Sequence, residues 1–169
     1  MKKLFYTATL ASSLALASMA QAEIVPVKEV DVEVDMTAVQ DAPAAGKWAE
    51  LSSDLEAAIL ERLAGQITDD QKAAVVMVDI DEVSLASNFA AALGKDSHLT
   101  GVVEINDVTS VAKSEERDTN LAFYKLDVTA MSIGEYLPEG FDLASAPDDD
   151  VYYNAMVQAF ADNIASRLQ

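Results

Sequence analysis

The sequence predicts an α+β two-layer sandwich: a mostly antiparallel sheet of about four strands with two long amphipathic helices on one face, in the order β-α-β-β-β-α. Segments that alternate between apolar and polar residues predict the strands, and two segments with apolar residues at three- and four-residue steps predict the helices. Each element has one apolar side, and packing both helices on one face of the sheet buries all of these sides together. An apolar fraction of 51% favours a folded core over disorder.

The first strand is predicted over residues 30–36, where apolar and acidic residues alternate strictly. Successive side chains of a strand point to opposite faces. The two faces are therefore Val30, Val32, Val34 and Met36 on one side, and Asp31, Glu33 and Asp35 on the other. This pattern is typical of a half-buried strand whose acids lie in solvent.

The first helix is predicted over residues 47–66, with Gly65 as its natural stop. Its apolar stripe is Trp48, Leu51, Leu55, Ile59 and Leu63. Trp48 opens this stripe, which favours a place in the core over a role in stacking on a ligand.

The last helix is predicted to begin at the acidic run 148–150, because carboxylates near a helix N-terminus satisfy free amides and interact favourably with the helix dipole. Its stripe is Tyr152, Met156, Phe160, Ile164 and Leu168. Arg167 is expected in the last turn, where a cation is favourable.

Three further strands are predicted between the helices, over residues 74–80, 99–106 and 121–131. Asp79, Asp81 and Glu82 are expected to end the first of these. The connections are predicted as a short helical turn over 88–93, an exposed hairpin connection over 112–120 and a long loop over 132–147. The strand at 74–80 is expected to pair in parallel with the first strand, through a right-handed crossover.

Residues 1–22 have the pattern of a cleavable secretory signal peptide. Lys2 and Lys3 precede an apolar stretch, and Ala20 and Ala22 form the small-residue pattern that signal peptidase accepts. The stretch is shorter than the roughly 20 residues of a spanning helix, which disfavours a membrane anchor. We therefore expect residues 23–169 to form a single domain without a membrane span, in the periplasm or, alternatively, outside the cell.

Composition limits the classes of partner and site. The chain has a net charge of −18, so nucleic acid and anionic lipid are disfavoured as partners. The acidity indicates either a surface for cations or cationic partners, or an adaptation that keeps the protein soluble. There is no cysteine, which excludes disulfides, thiolate metal sites and a cysteine nucleophile.

Motifs for catalysis and cofactor binding are absent from the sequence. His98 is the only histidine and is expected in a surface loop beside a turn. No nucleophile elbow, P-loop, dinucleotide-binding or zinc-protease motif occurs. We therefore assign no catalytic, cofactor-binding or metal-ligating residue and expect no cofactor.

Carboxylates offer one further possibility, since six of them are predicted to share the sheet face away from the helices: Asp31, Glu33, Asp35, Asp79, Glu104 and Asp127. Such a face can bind divalent cations or a basic partner, or can simply be a solvated sheet surface. The acids at 79, 81 and 82 do not complete an EF-hand, because Val83 stands where a ligand is needed. The acidic run 148–150 has no metal-binding pattern either.

The layout resembles two groups of exported proteins. The segments that carry the resemblance are WAELSSDLEAAILERL at 48–63, VVMVDI at 75–80 and YNAMVQAFADNIASRL at 153–168. They are similar in outline to auxiliary lipoproteins of ABC-type envelope transport systems, although the chain lacks the lipobox cysteine, and to uncharacterised exported proteins of alphaproteobacteria. The resemblance implies an envelope location and carries over no functional residue.

The sequence thus favours a non-enzymatic binding or envelope-assembly module that contacts another envelope protein through an edge or a face of its sheet. Two alternatives remain: an acidic protein that binds divalent cations such as calcium, and a small hydrolase that uses a pair of carboxylates. The oligomeric state is not predicted.

Overall fold

The computed structural model describes residues 24–34, 49–84, 98–106, 120–141 and 149–169. Its elements are β1 (Val27–Val34), α1 (Leu51–Arg62), β2 (Ala74–Ser84), β3 (His98–Asn106), β4 (Asn120–Thr129), a 3₁₀ helix (Ala130–Tyr136) and α2 (Asp149–Ser166). The predicted order β-α-β-β-β-α is confirmed, with the 3₁₀ helix as an addition. No helix in these ranges is both long and apolar enough to cross a membrane.

The strands form one four-stranded sheet in the order β1-β2-β3-β4. β1 pairs with β2 in parallel, as predicted, and the other two pairings are antiparallel. Parallel neighbours need a crossover connection, and α1 lies in the connection between β1 and β2. Within the described strands, β1 and β4 are therefore the two edges of the sheet.

The core lies between one sheet face and the two helices. Every described member of the two predicted stripes is buried, at most 2% exposed. The sheet contributes its alternate apolar residues, among them Val30, Val32, Val76, Val78, Ile80, Val103, Ile105, Leu126 and Val128. Burying one such side chain stabilises the fold by about 1.5–3 kcal/mol, so these faces determine the architecture.

Two polar contacts join α1 to α2. Near the starts of the helices, the Tyr153 hydroxyl donates to Asp54 Oδ2 at 2.7 Å. Near their ends, Arg62 Nε donates to Asp162 Oδ1 at 2.7 Å. The start of α1 contacts the start of α2, and the end of α1 contacts the later part of α2. The two helices therefore lie side by side and run in the same direction.

The second strand is longer than predicted. Asp79, Asp81 and Glu82 lie inside β2 and do not end it. β3 continues alongside as a partner, with Glu82 opposite Thr100 and a register shift between Ile80 and Glu82 that leaves Asp81 without an opposite residue. Pairing with a neighbouring strand therefore outweighs the low strand propensity of acids.

The predicted loop over 132–147 is wrong in its first part. The chain turns into the 3₁₀ helix at Ala130, so the predicted strand also ends two residues early. Ile133 explains this structure, because its side chain is fully buried against the core. The hydroxyl of Ser132 accepts a hydrogen bond from the Thr129 amide at 3.0 Å and so secures the start of the helix.

Two further residues differ from expectation. His98 is the first residue of β3 and half-buried, rather than part of a surface loop. Arg167 lies just beyond α2, where its guanidinium stacks 3.9 Å from the centre of the Tyr124 ring. Burial raises the pKa of Tyr124, and the charge of Arg167 opposes this rise.

Several predictions fall on residues outside the described ranges. They concern the signal peptide at 1–22, Asp35 and Met36 of the first strand, Trp48, the helical turn at 88–93, the connection at 112–119 and Asp148. The structure does not test them.

Candidate functional site

The face of the sheet opposite the helices is the first candidate site, and we call it the outer face. The strand register places its side chains in rows that cross the four strands. One row is Asp31, Met77, Glu104 and Phe123, and the next is Glu33, Asp79, Val102 and Lys125. Four of the six acids predicted from the sequence are thus brought together.

Exposed apolar side chains lie among the acids of this face, on β2 and on the edge strand β4. Phe123 is 66% exposed and Met77 is 43% exposed, and Leu121, farther along β4, is 53% exposed. A hollow of about 290 Å³ opens between the two rows, and both Met77 and Phe123 line it together with the four acids. The hollow is therefore lined by apolar side chains and acids together, with Glu104 between Met77 and Phe123, and we call its four acids the acidic rim.

The charges on the outer face are poorly balanced. Glu33 lies directly opposite Asp79 in the parallel register. Lys125 is the one cation in the two rows, and the ion pairs between described residues include none of the four acids. Like charges opposite each other on adjacent strands are destabilising. The negative charge of the rim is therefore not balanced by an ion pair among the described residues.

The remaining predicted acids do not join this group. Asp127 lies two residues beyond Lys125 on β4, where its Oδ1 accepts a 3.0 Å hydrogen bond from the Thr100 hydroxyl. Asp35 falls outside the described ranges. Across the described part of the chain, no three acidic or histidine side chains are placed to hold one metal ion, so the calcium alternative gains no support there.

A second hollow of about 290 Å³ lies at the edge of β4, and sequence reasoning did not find it. Its walls are Leu126, Asp127 and Val128 of β4, Ser132 and Tyr136 of the 3₁₀ helix, and Ala159, Asp162, Asn163 and Ser166 of α2. The sequence does not reveal this hollow, because residues 132–136 are predicted as loop. Only the folded 3₁₀ helix brings them to the edge strand.

Asp162 is the most strongly engaged carboxylate of this edge hollow. Arg62 Nε and the Tyr136 hydroxyl donate to its two oxygens at 2.7 and 2.9 Å. The hydrogen bond from Arg62 is the main cause that lowers the pKa of Asp162. Burial, together with the bond to Asp162, raises the pKa of Tyr136. A general acid needs a carboxyl with a raised pKa, so Asp162 is unsuited to that role.

Comparisons with known proteins find similarity only at the level of outline. No family model matches the chain, and a search of curated proteins finds no similar sequence. Among solved structures, a PelC dodecamer from Paraburkholderia phytofirmans is 13% identical, with a TM-score of 0.44 over 86% of this chain and 89% of that chain.

Two more solved structures are similar in the same loose way. An uncharacterised protein is 11% identical, with a TM-score of 0.44 over 86% of this chain and 92% of that chain. A minor lipoprotein from Acinetobacter baumannii is 12% identical, with a TM-score of 0.36 over 82% of this chain and 90% of that chain. The structural neighbours therefore include a lipoprotein and an uncharacterised protein, and similarity of this degree assigns no function to the chain.

Proposed function

We propose that this chain is a non-enzymatic protein-binding module of the bacterial envelope, and that it docks its partner on the outer face. The observation that carries the proposal is that exposed Met77 and Phe123 line one hollow together with four acids. A sheet with one open face normally places polar residues there. At 66% exposure Phe123 contributes little to the fold, so its presence favours a role in contact with another molecule.

The residue types of the outer face are those of a protein interface. Interfaces have an apolar centre, enriched in aromatic residues and Met, and a polar rim. Burying Phe123 against a partner would recover about 1.5–3 kcal/mol of hydrophobic free energy that the free protein does not realise. Scattered surface apolar residues need no such explanation, but here Met77 and Phe123 line one hollow.

Charge defines the partner. The rim carries Asp31, Glu33, Asp79 and Glu104, and the whole chain has a net charge of −18. The complementary surface is a protein with an apolar protrusion surrounded by Lys and Arg. Such a complex forms faster at low ionic strength and weakens as salt screens the rim.

The envelope part of the proposal depends on the signal pattern at residues 1–22. If the pattern directs export, the protein purified from cells begins at Glu23 and appears in the periplasmic fraction. Mass spectrometry of the intact protein tests this directly. Recovery of a chain that still begins at Met1, in the cytoplasmic fraction, would refute export without affecting the outer-face proposal.

The binding part is tested with a photo-crosslinking amino acid at position 123 in living cells. We expect one predominant protein adduct, absent when the same amino acid replaces the exposed Asn154 of α2, on the other layer of the molecule. Met77→Ala should reduce the yield several-fold, whereas Met131→Ala should leave it unchanged, because Met131 is 76% exposed outside the sheet. Equal yields from positions 123 and 154 would refute docking on this face.

A further inference from the structure

We infer that the free edge of β4 is a second binding site, which accepts an extended segment of a partner protein as an additional strand and seats a Lys or Arg side chain of that segment in the edge hollow. The site is separate from the outer face, since it is built from β4 backbone, the 3₁₀ helix and α2. A result that refutes docking on the outer face therefore does not refute this second site, and the reverse also holds.

The shape of the hollow shows that it follows the edge of the strand. It contacts Leu126, Asp127 and Val128 in succession. Consecutive side chains of a strand point to opposite faces, so a hollow that contacts all three residues either reaches the backbone of Asp127 or passes round the edge of β4. β3 occupies the other edge of β4, and no described strand lies beyond β4. The hollow thus lies beside the edge of β4 that has no partner among the described strands.

The backbone at this edge directs hydrogen-bonding groups away from β3, where no described strand pairs with them. Thr129 directs its N–H to Ser132 Oγ at 3.0 Å, and its carbonyl accepts from the same hydroxyl at 2.7 Å. Alternate residues of an antiparallel strand direct both groups to the same edge. The N–H and C=O of Asp127 and Lys125 therefore point outward with those of Thr129, as a template for a further strand.

The acids of the hollow favour a cationic side chain. Asp127 of β4 and Asp162 of α2 are both among its lining residues. Asp162 is paired with Arg62, whereas Asp127 accepts only the hydroxyl of Thr100 and is not paired with a cation among the described residues. A volume of about 290 Å³ lies at the lower limit of small-molecule pockets, which suits one long side chain.

A partner segment fits this edge better than a second copy of the chain. Two copies would each bring a net charge of −18, and their repulsion opposes pairing of two β4 edges. A basic segment gains from the same field. Lys125 refines the choice, because the added strand should carry its cation beside Asp127 and not beside Lys125.

The test uses two synthetic peptides and hydrogen exchange on the full protein. One is a seven-residue peptide of alternating valine and threonine with a central lysine, and the other has glutamate at the centre. We expect the lysine peptide to slow exchange of the Lys125 and Asp127 amides at least tenfold, and to bind at least tenfold more tightly than the glutamate peptide. Absence of protection on β4, or equal affinity of the two peptides, would overturn the inference.

A matched pair of variants separates the edge from the rest of the surface. Ser166 and Ser53 are both exposed helix serines whose hydroxyls bond the carbonyl three residues earlier. Ser166→Arg should weaken the lysine peptide at least tenfold, because the new guanidinium fills the hollow beside Asp162, and Ser53→Arg should not. Equal effects of both variants, or a β4-linked dimer in sedimentation, would overturn it. Met77→Ala should leave peptide binding unchanged.

Discussion

The hydroxyl of Tyr153 lies 2.7 Å from Oδ2 of Asp54 and joins the beginnings of α1 and α2. Tyr153 is 8% exposed and Asp54 is partly exposed, so this is a partly buried hydrogen bond to a carboxylate. With the contact between Arg62 and Asp162 at the far ends, it fixes the sliding position of one helix against the other. Apolar stripes alone define which faces meet but tolerate small shifts along the axis.

Tyr153→Phe should reduce the free energy of unfolding by about 1.5–3 kcal/mol, the usual worth of a hydrogen bond to a charged group. Urea unfolding at pH 7 measures the loss. Tyr136→Phe is the control, because its bond to Asp162 is exposed and should contribute less than about 1 kcal/mol. Equal losses in both variants would contradict the special role of Tyr153.

The same bond predicts a dependence on alkaline pH. Burial, followed by the bond to Asp54, raises the pKa of Tyr153 well above its ordinary value of 10.0. The stabilisation is therefore complete below pH 10. Above pH 10 this tyrosine ionises first in the unfolded chain, so the free energy of unfolding falls by up to about 1.4 kcal/mol per pH unit. Tyr153→Phe should lose stability less steeply than the parent between pH 10 and 11. Parallel curves would contradict this.

The stabilisation by Asp162 should show the opposite pH dependence, because it is lost in acid. The hydrogen bond from Arg62 lowers its pKa below the ordinary 3.8, so its stabilisation is present above that pH and is lost as the pH falls through the lowered pKa. Asp162→Asn should flatten the acid limb of the stability curve below pH 4. The side chain is 50% exposed, which limits the loss at pH 7 to about 1 kcal/mol. Urea titrations at several pH values measure both effects.

Most of the fold follows from periodicity, because the residues that carry it are the residues that are buried. The stripe of α2 and the alternation of β3 and β4 predicted both the elements and their inward faces. What sequence could not supply depends on partners distant in the chain. β2 continues through its acids because β3 lies beside it, and the 3₁₀ helix forms because Ile133 finds a place in the core.

The candidate sites also have a part that the local sequence pattern predicts and a part that depends on contacts distant in the chain. The alternation of Asp31 and Glu33 predicted the acidic outer face, since side-chain direction in a strand is a local property. That Met77 and Phe123 share one hollow is a matter of register across three strands, which no local pattern reveals. The edge hollow depends on tertiary contacts of the 3₁₀ helix and α2, and its polar residues resemble ordinary surface residues in sequence.

Gly101 occupies a buried position of β3 where a side chain has no room. A Cβ there would lie 2.7 Å from the carbonyl oxygen of Asp79 and 2.8 Å from Cδ1 of Ile80. Gly101→Ala should therefore reduce the free energy of unfolding by about 1–3 kcal/mol, as overpacking does. Gly65→Ala is the control, because nothing lies within 4 Å of its Cβ position, and it should change stability by less than about 0.5 kcal/mol. Similar values would contradict the close approach.

Alanine variants of two phenylalanines distinguish a role in folding from a role in binding. Phe160 is fully buried and Phe123 is 66% exposed. Phe160→Ala should reduce the free energy of unfolding by about 3–5 kcal/mol, whereas Phe123→Ala should change it by less than about 0.5 kcal/mol. Urea unfolding of both variants measures the contrast. A large loss for Phe123→Ala would mean that the residue serves the fold, and would remove the main argument for docking on the outer face.

The acidic rim itself should lower the stability of the free protein. Glu33 and Asp79 lie directly opposite each other on adjacent strands, and a like-charge pair of this kind is destabilising by a few tenths to about 1 kcal/mol. Glu33→Lys should therefore increase the free energy of unfolding at low ionic strength. The gain should shrink in 1 M salt, where the screening length falls to about 3 Å.

Glu139→Lys is the matched control, because it changes the net charge equally at an exposed position in a turn away from the sheet. A larger gain for Glu33→Lys identifies the local pair, and an equal gain would assign the effect to net charge alone. If the same Glu33→Lys variant also weakens crosslinking through position 123, one residue that lowers the stability of the free protein contributes to binding. That combination is expected of a rim that is neutralised only when a basic partner covers it.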